Sequence, residues 1–392
     1  MPILFVALFN SILGLSVLFP ILAPLGRQLG LAEVQIGSLS TAYALMQLVV
    51  SPIWGRRSER VGRKPVLLTG VIGFAASFLL FAGVAELGGR GYLKGAALYV
   101  GLLLSRAIGG TFSSATLPTA QAYVADTTGR ADRTAGMAMI GAAFGLGIIF
   151  GPAIGAGLST ISLLAPIYFS AGLAVVNAVF IAVRLKEPER RLSNKPPELR
   201  PVAAKIWPLL GVAVAVSLAS IAMEQTIAFY FQDRLSLTPR GTAQAVGIAL
   251  VVYGFVAVLA QGFIVRRFKW PPLRLLAGGL PCALVGFIGL VFAHERAALT
   301  AALAIQGFGQ GLALPGVTAA MSLGVSEDEQ GAVAGLNSSA QALGRLLGPV
   351  VGTGLYQFKP EYPYCFSAAL LTLVLVMLVA SKRLRTAIVA EP

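Results

Sequence analysis

Runs of about twenty apolar residues follow one another along this chain, separated by short segments that carry charge, glycine or proline. A bilayer core about 30 Å thick takes roughly twenty apolar residues per helical crossing, because only a helix satisfies its backbone polar groups internally in lipid. The pattern predicts helices over 3–25, 34–54, 65–85, 96–125, 135–158, 164–185, 206–231, 243–265, 273–293, 297–323, 331–357 and 363–381, twelve in all. Composition agrees: 56% of the 392 residues are hydrophobic and 12% charged, with a mean hydropathy of +0.80. These values exclude an ordinary soluble domain. The fold class expected is an all-α membrane protein.

The net charge of +14 raises nucleic acid as a partner, but position argues against it. The basic residues occupy alternate loops rather than one soluble face. Twenty-one Lys and Arg fall on the side of Arg56 and seven on the side of Arg27, with Arg106 and Arg345 inside helices. Lys and Arg are retained in the cytoplasm during insertion, so both termini are expected there. The first apolar run lacks a basic segment before it and a small-residue cleavage site after it, and is expected to stay as the first helix. Cys282 and Cys365 give no disulfide framework, and His294 is the single histidine. Metal and thiol chemistry are therefore not expected, and no cofactor is implied beyond a proton as coupling ion.

The chain repeats itself. Gly147, Gly151-Pro152, Gly155 and Gly157 recur 197 residues later as Gly344, Gly348-Pro349, Gly352 and Gly354, and the same offset carries Pro118 onto Pro315. A looser echo relates Gly55–Lys64 to Gly262–Lys269. Two related six-helix halves follow, over 1–185 and 206–392, the second ending in a short cytoplasmic tail. The proline-bearing polar stretch 186–205 joins them as a cytoplasmic linker. Duplicated halves favour a substrate site at the midplane, reached from alternate sides as the halves rock.

The segment Gly55-x-x-x-Glu59-Arg60-x-Gly62-Arg63-Lys64 resembles the loop 2–3 signature of the major facilitator superfamily, departing from it at Arg57 and at Glu59. Its glycines would let two helix ends approach, while its acid and guanidiniums form and break charge-assisted pairs. Asp126 matches the acid that family members place against this loop. Leu104-x-Arg106-x-x-x-Gly110 resembles the helix 4 signature of proton-coupled members. Gly147-x-x-x-Gly151-Pro152-x-x-Gly155 resembles the helix 5 signature of antiporters, with Ala156 in place of a second glycine. Ala42-Tyr-Ala-Leu-Met-Gln47 and Ala122-Tyr-Val-Ala-Asp126 look like stretches of tetracycline exporters and their relatives. The resemblance implies the twelve-helix fold and drug export in exchange for protons across a bacterial inner membrane, a route to antibiotic resistance. Many such exporters carry an acid in helix 1, where this chain reads Phe9-Asn10-Ser11.

An ionisable side chain in a membrane helix costs at least about 2.5–3.5 kcal/mol, so each one asks for a role. Glu224 lies nine residues before Asp233, roughly 13 Å below the helix end at 1.5 Å per residue. Arg106 lies twelve residues beyond Lys94, roughly 18 Å deep by the same rise. Glu224 is the candidate proton carrier, because low-dielectric surroundings favour its neutral acid while a cationic substrate favours its carboxylate. Arg106 is the candidate coupling partner, with hydrogen bonding to helix carbonyls as the structural alternative. Arg345 stands where the repeat has Ile148, and could contact an anion, pair with Glu224 or serve packing.

Tyr43, Gln47, Gln225, Tyr230, Phe231, Tyr253, Gln341 and Arg345 are candidates for the wall of a mostly apolar substrate cavity, although many aromatics in such helices face lipid or neighbours. The function expected is a secondary transporter exporting lipophilic or amphiphilic molecules, a monomer whose partners are substrate, protons and lipid. A metabolite, sugar or lipid carrier of the same superfamily is the alternative. An enzyme would need a buried His, Asp or Ser/His cluster, which is missing, and no phosphate-binding P-loop appears.

Overall fold

The structure is a computed structural model and describes residues 2–127, 130–188, 199–268, 270–326 and 329–380. The linker residues 189–198 and the tail 381–392 lie outside them, as does Lys269 of the looser repeat. Among the described residues the secondary structure is helical throughout. The elements are α1 (Pro2–Ser16), α2 (Leu22–Gln28), α3 (Glu33–Val61), α4 (Arg63–Gly89), α5 (Gly95–Ser113), α6 (Thr116–Thr127), α7 (Arg130–Leu158) and α8 (Ala165–Arg184). There follow α9 (Leu199–Leu235), α10 (Pro239–Leu259), a π-helical segment (Ala260–Val265), α11 (Arg266–Phe268), α12 (Pro272–Phe292), α13 (Arg296–Leu323), α14 (Gln330–Phe358) and α15 (Tyr362–Ala380).

Ten helical segments of the described residues are long and apolar enough to cross a bilayer. The first pass, α1 with α2, and the eleventh, α14, complete twelve. The first is divided and leaves the shorter apolar helix Leu4–Ser16. The eleventh carries Asn337, Ser338, Ser339, Gln341 and Arg345, which dilute its apolar content.

Two predicted continuous helices are broken, each with a proline four residues past a broken turn. Pro20 has no N–H for the Ser16 carbonyl, and α1 ends at Ser16. Pro118 likewise has no N–H for the Ser114 carbonyl, and α5 and α6 part at Ser114 and Ala115. Pro315, the repeat-mate of Pro118, sits inside the uninterrupted α13.

Contacts divide the chain into two compact units, Met1–Ser193 with Leu237–Ile248, and Asn194–Ser236 with Ala249–Pro392. In the first, α1 packs on α7 and α8, and α4 on α5 and α8. In the second, α9 packs on α14 and α15, and α12 on α13 and α15, so the pairings repeat in order. The repeated glycines explain part of it. A Cβ added at Gly147 would lie 2.8 Å from Ile12 Cβ, one at Gly151 2.8 Å from Ser16 Cβ, and one at Gly155 2.7 Å from the Val17 carbonyl. In the second unit the equivalent atoms would lie 2.9 Å from Leu218 N for Gly344, 2.7 Å from Ile221 Cβ for Gly348 and 2.7 Å from the Ala222 carbonyl for Gly352. Helices approach this closely in a membrane because small residues admit a neighbour's backbone. Ser16 Oγ fastens one crossing by donating to the Gly147 carbonyl at 2.7 Å.

Candidate functional site

In the first unit, Gly110 sets the position of a buried cation. It has no side chain, so α5 rests directly on the Tyr43 backbone of α3. One turn earlier on α5, the Arg106 guanidinium lies over the Tyr43 ring at 4.5 Å and near the Phe78 ring at 6.0 Å. Arg106 is buried, and its Nε has no hydrogen-bond partner among the described residues. The aromatic faces are what holds it, an arrangement stronger away from water. Gln47 Nε2 donates to the Tyr43 hydroxyl at 3.4 Å and to Ser113 Oγ at 3.3 Å, so Tyr43, Gln47 and Arg106 form one cluster.

In the second unit, Glu224 is half-buried in the middle of α9. The Tyr253 hydroxyl of α10 donates to its carboxylate, and the Arg345 guanidinium of α14 interacts with it electrostatically. Gly344 and Gly348 seat α14 against α9 on either side of Arg345, whose own side chain is exposed. Every other acid of the described residues lies at a helix end or in a loop. Gln225 and Gln341 are half-buried. Tyr230 and Phe231 have no exposed surface: the Tyr230 hydroxyl donates to the Leu290 carbonyl at 3.0 Å, and its ring meets Tyr364 at 4.6 Å. These two aromatics are core residues that bind α9 to its neighbours, and they do not face an open wall.

The loop signature is compact. Gly62 alone separates α3 from α4 and adopts φ +114°, where a side chain would be strained. A Cβ there would also lie 2.8 Å from the Glu187 carboxylate, whose oxygens accept the Arg63 N–H at 2.5 Å and the Lys64 N–H at 2.8 Å. A carboxylate here satisfies the free N–H groups of α4 and complements its dipole. Arg63 Nε donates to Asp126 Oδ2 at 2.8 Å, and its Nη1 to Ser58 Oγ at 2.6 Å. The Tyr123 hydroxyl donates to the Lys186 carbonyl at 2.9 Å. Gly55 has nothing within 4 Å, so it is not a point of close approach, and Glu59 and Arg60 are exposed.

The sequence reading missed two sets of residues. Glu187 had no signal, since its partners are more than a hundred residues away in the chain. Ser220, Gln306 and Gln310 form a hydrogen-bonded patch in the second unit. The two glutamines stand four residues apart in an apolar helix, a spacing that marks one helix face.

A family model described as Major Facilitator Superfamily matches residues 4–349 and 274–388. The chain belongs to the major facilitator superfamily. It is thus a multi-pass membrane transporter. It is 27% identical over 394 residues to Multidrug resistance protein 1 of Bacillus subtilis (strain 168), covering 97% of this chain and 96% of the relative. It is 26% identical over 369 residues to the Quinolone resistance protein NorA of Staphylococcus aureus (strain COL), covering 92% and 91%. Among solved structures, the human organic anion transporter MFSD10 (TETRAN) shares the fold with TM-score 0.66 at 22% identity, covering 96% of this chain and 98% of that one. A bacterial homolog of the human lysosomal transporter Spinster, inward-facing and occupied, matches with TM-score 0.74 at 15% identity, covering 98% and 95%.

Proposed function

We propose that this superfamily member exports lipophilic or amphiphilic, drug-like molecules in exchange for protons. The observation that carries the reading is Glu224, an acid in the middle of a membrane helix, hydrogen-bonded by Tyr253 and within electrostatic reach of Arg345. A carboxyl group in that position exchanges a proton for a substrate. Facing inward it releases its proton and its carboxylate accepts the polar or cationic end of a substrate; facing outward it takes up a proton as the substrate departs. Competition of two ligands for one carboxylate makes the exchange obligatory. Arg106 in the first unit supplies a buried positive charge whose Nε has no hydrogen-bond partner among the described residues. Relatives named for multidrug and quinolone resistance support the drug-like class. The excess of Lys and Arg in alternate loops supports a cytoplasmic membrane location with both termini inside, and the protein is taken to work as a monomer.

The deciding experiment uses the purified protein in liposomes with an imposed pH gradient. Glu224→Gln should abolish gradient-driven substrate movement while leaving the melting temperature within a few degrees of the unaltered protein. Gradient-driven transport that survives this change removes Glu224 as the proton carrier.

A further inference from the structure

The end of α4 that carries Arg90 borders two neighbouring cavities. The larger, about 810 Å³, opens among the ends of α2 and α4, the connection before α8 and the start of α10, and its polar lining includes Glu86, Arg90, Ser162, Thr238 and Arg240. All of its lining residues belong to the first unit. The smaller, about 400 Å³, runs along α4 over Leu79, Leu80, Gly83, Val84 and Leu87 and reaches the same Glu86 and Arg90.

The larger cavity is rich in hydrogen-bond donors. Arg90 Nη2 donates to Glu86 Oε1 at 2.6 Å and the Tyr168 hydroxyl to Glu86 Oε2 at 3.0 Å, so both oxygens of that carboxylate are engaged. Arg240 is exposed to the cavity and has no ion pair or hydrogen bond among the described residues. Ser162 Oγ accepts the Ala165 N–H at 3.0 Å, and Thr238 Oγ1 accepts the Gly241 N–H at 3.2 Å, which leaves each O–H to donate. Two guanidiniums against one carboxylate give the lining a surplus of one positive charge. A phosphodiester, singly negative and made of oxygen acceptors, complements that set.

The smaller cavity is an apolar trough. Leu79, Leu80 and Leu87 are 49%, 44% and 44% exposed, and a Cβ at Gly83 would meet nothing within 4 Å. From Leu79 to Arg90 the helix rises roughly 16 Å at 1.5 Å per residue, close to one leaflet of a hydrocarbon core about 30 Å thick. Every lipid-facing helix meets acyl chains, and that alone explains the trough. It does not explain a second cavity at the head of the trough in which an arginine without an acid and two hydroxyl donors converge.

We propose that this end of the first unit binds an anionic phospholipid. Arg240 and Arg90, with the Ser162 and Thr238 hydroxyls, hold its phosphate, and one acyl chain lies in the α4 trough. A free anionic solute would fill the cavity and leave the trough unused, so the pair of cavities selects the lipid. The site is separate from Glu224 and stands independently of the export reading.

Native mass spectrometry of the full-length protein in detergent counts the lipids it retains. Offered phosphatidylglycerol and phosphatidylcholine in equal amounts, the unaltered protein should keep the anionic lipid about tenfold better, the value of one charge-assisted hydrogen bond. Arg240→Gln should cut that preference to about twofold, and Arg240→Lys should recover part of it. Gly83→Phe fills the trough and should lower retention of phosphatidylglycerol without lowering the melting temperature. Arg296→Gln removes an exposed arginine at another helix end and should change nothing. An equal loss in Arg296→Gln and Arg240→Gln shows a general effect of charge and overturns the proposal. So does a preference that is missing from the unaltered protein or survives Arg240→Gln, unchanged retention in Gly83→Phe, or displacement of the lipid by glycerol phosphate at equal concentration.

Discussion

Arg106 is a guanidinium in a membrane helix whose neighbours are two aromatic rings. A desolvated cation over a ring gains about 2 kcal/mol, which offsets much of the insertion penalty of about 2.5–3.5 kcal/mol. The ring matters more than the hydroxyl, so Tyr43→Phe should melt within about 1 kcal/mol of the unaltered protein, while Tyr43→Leu should lose about 2 kcal/mol of stability in detergent. Equal losses in the two variants would assign the support to the hydroxyl and its bond with Gln47. Gly62 poses a separate problem, because its φ of +114° and the adjacent Glu187 carboxylate both exclude a side chain. Gly62→Ala should cost about 1–3 kcal/mol of stability, read as a lower melting temperature. Gly55→Ala, in open space on the same signature, should melt no lower. At this scale the sequence marks which residues are unusual, since charge and glycine are conspicuous in a membrane helix. It does not mark their partners. Glu187, Gln306 and Gln310 acquire their roles from neighbours far along the chain, and Tyr230 and Phe231 differ from cavity aromatics only in which way their helix is turned.

The pairs of glycine-lined helices make a test of the repeat itself. Gly151 and Gly348 occupy matching positions against α1 and α9, where an added methyl would overlap Ser16 or Ile221. Gly157 and Gly354 match each other in the same repeat and have nothing within 4 Å. Overpacking costs about 1–3 kcal/mol, whereas alanine at an open helical position gains some tenths of a kcal/mol to about 1. Gly151→Ala and Gly348→Ala should therefore each lower the melting temperature, and Gly157→Ala and Gly354→Ala should hold or raise it. A drop for the open pair, or none for the packed pair, would break the link between the repeated glycines and these crossings. Element positions were legible because apolar runs and small residues report lipid and helix contact directly. The breaks were less so: Pro20 and Pro118 stand near interruptions, yet Pro315 lies in an unbroken α13. Whether a proline breaks a membrane helix depends on how neighbours satisfy the freed carbonyl, and local sequence does not state that.

For the whole molecule the question that the helix pairings leave open is which way the chain faces. An even number of crossings puts both termini on one side, and the distribution of Lys and Arg selects the side. The helix ends that meet at Gly62, the last turns of α3 and the first of α4, carry Arg56, Arg57, Arg60, Arg63 and Lys64, whereas the turn between α4 and α5 carries Arg90 and Lys94. Lys and Arg close to the ends of the crossings and in short connections count most during insertion, and both connections are short. The side bearing Arg56, Glu187 and the chain ends is therefore expected in the cytoplasm. Tyr92, 76% exposed between α4 and α5, is expected outside. In a background with Cys282 and Cys365 replaced by serine, Tyr92→Cys should react with a membrane-impermeant maleimide added to whole cells, and Arg56→Cys should react only after the cells are opened. The reverse pattern would invert the orientation, and with it the direction in which a proton gradient acting through Glu224 moves its substrate.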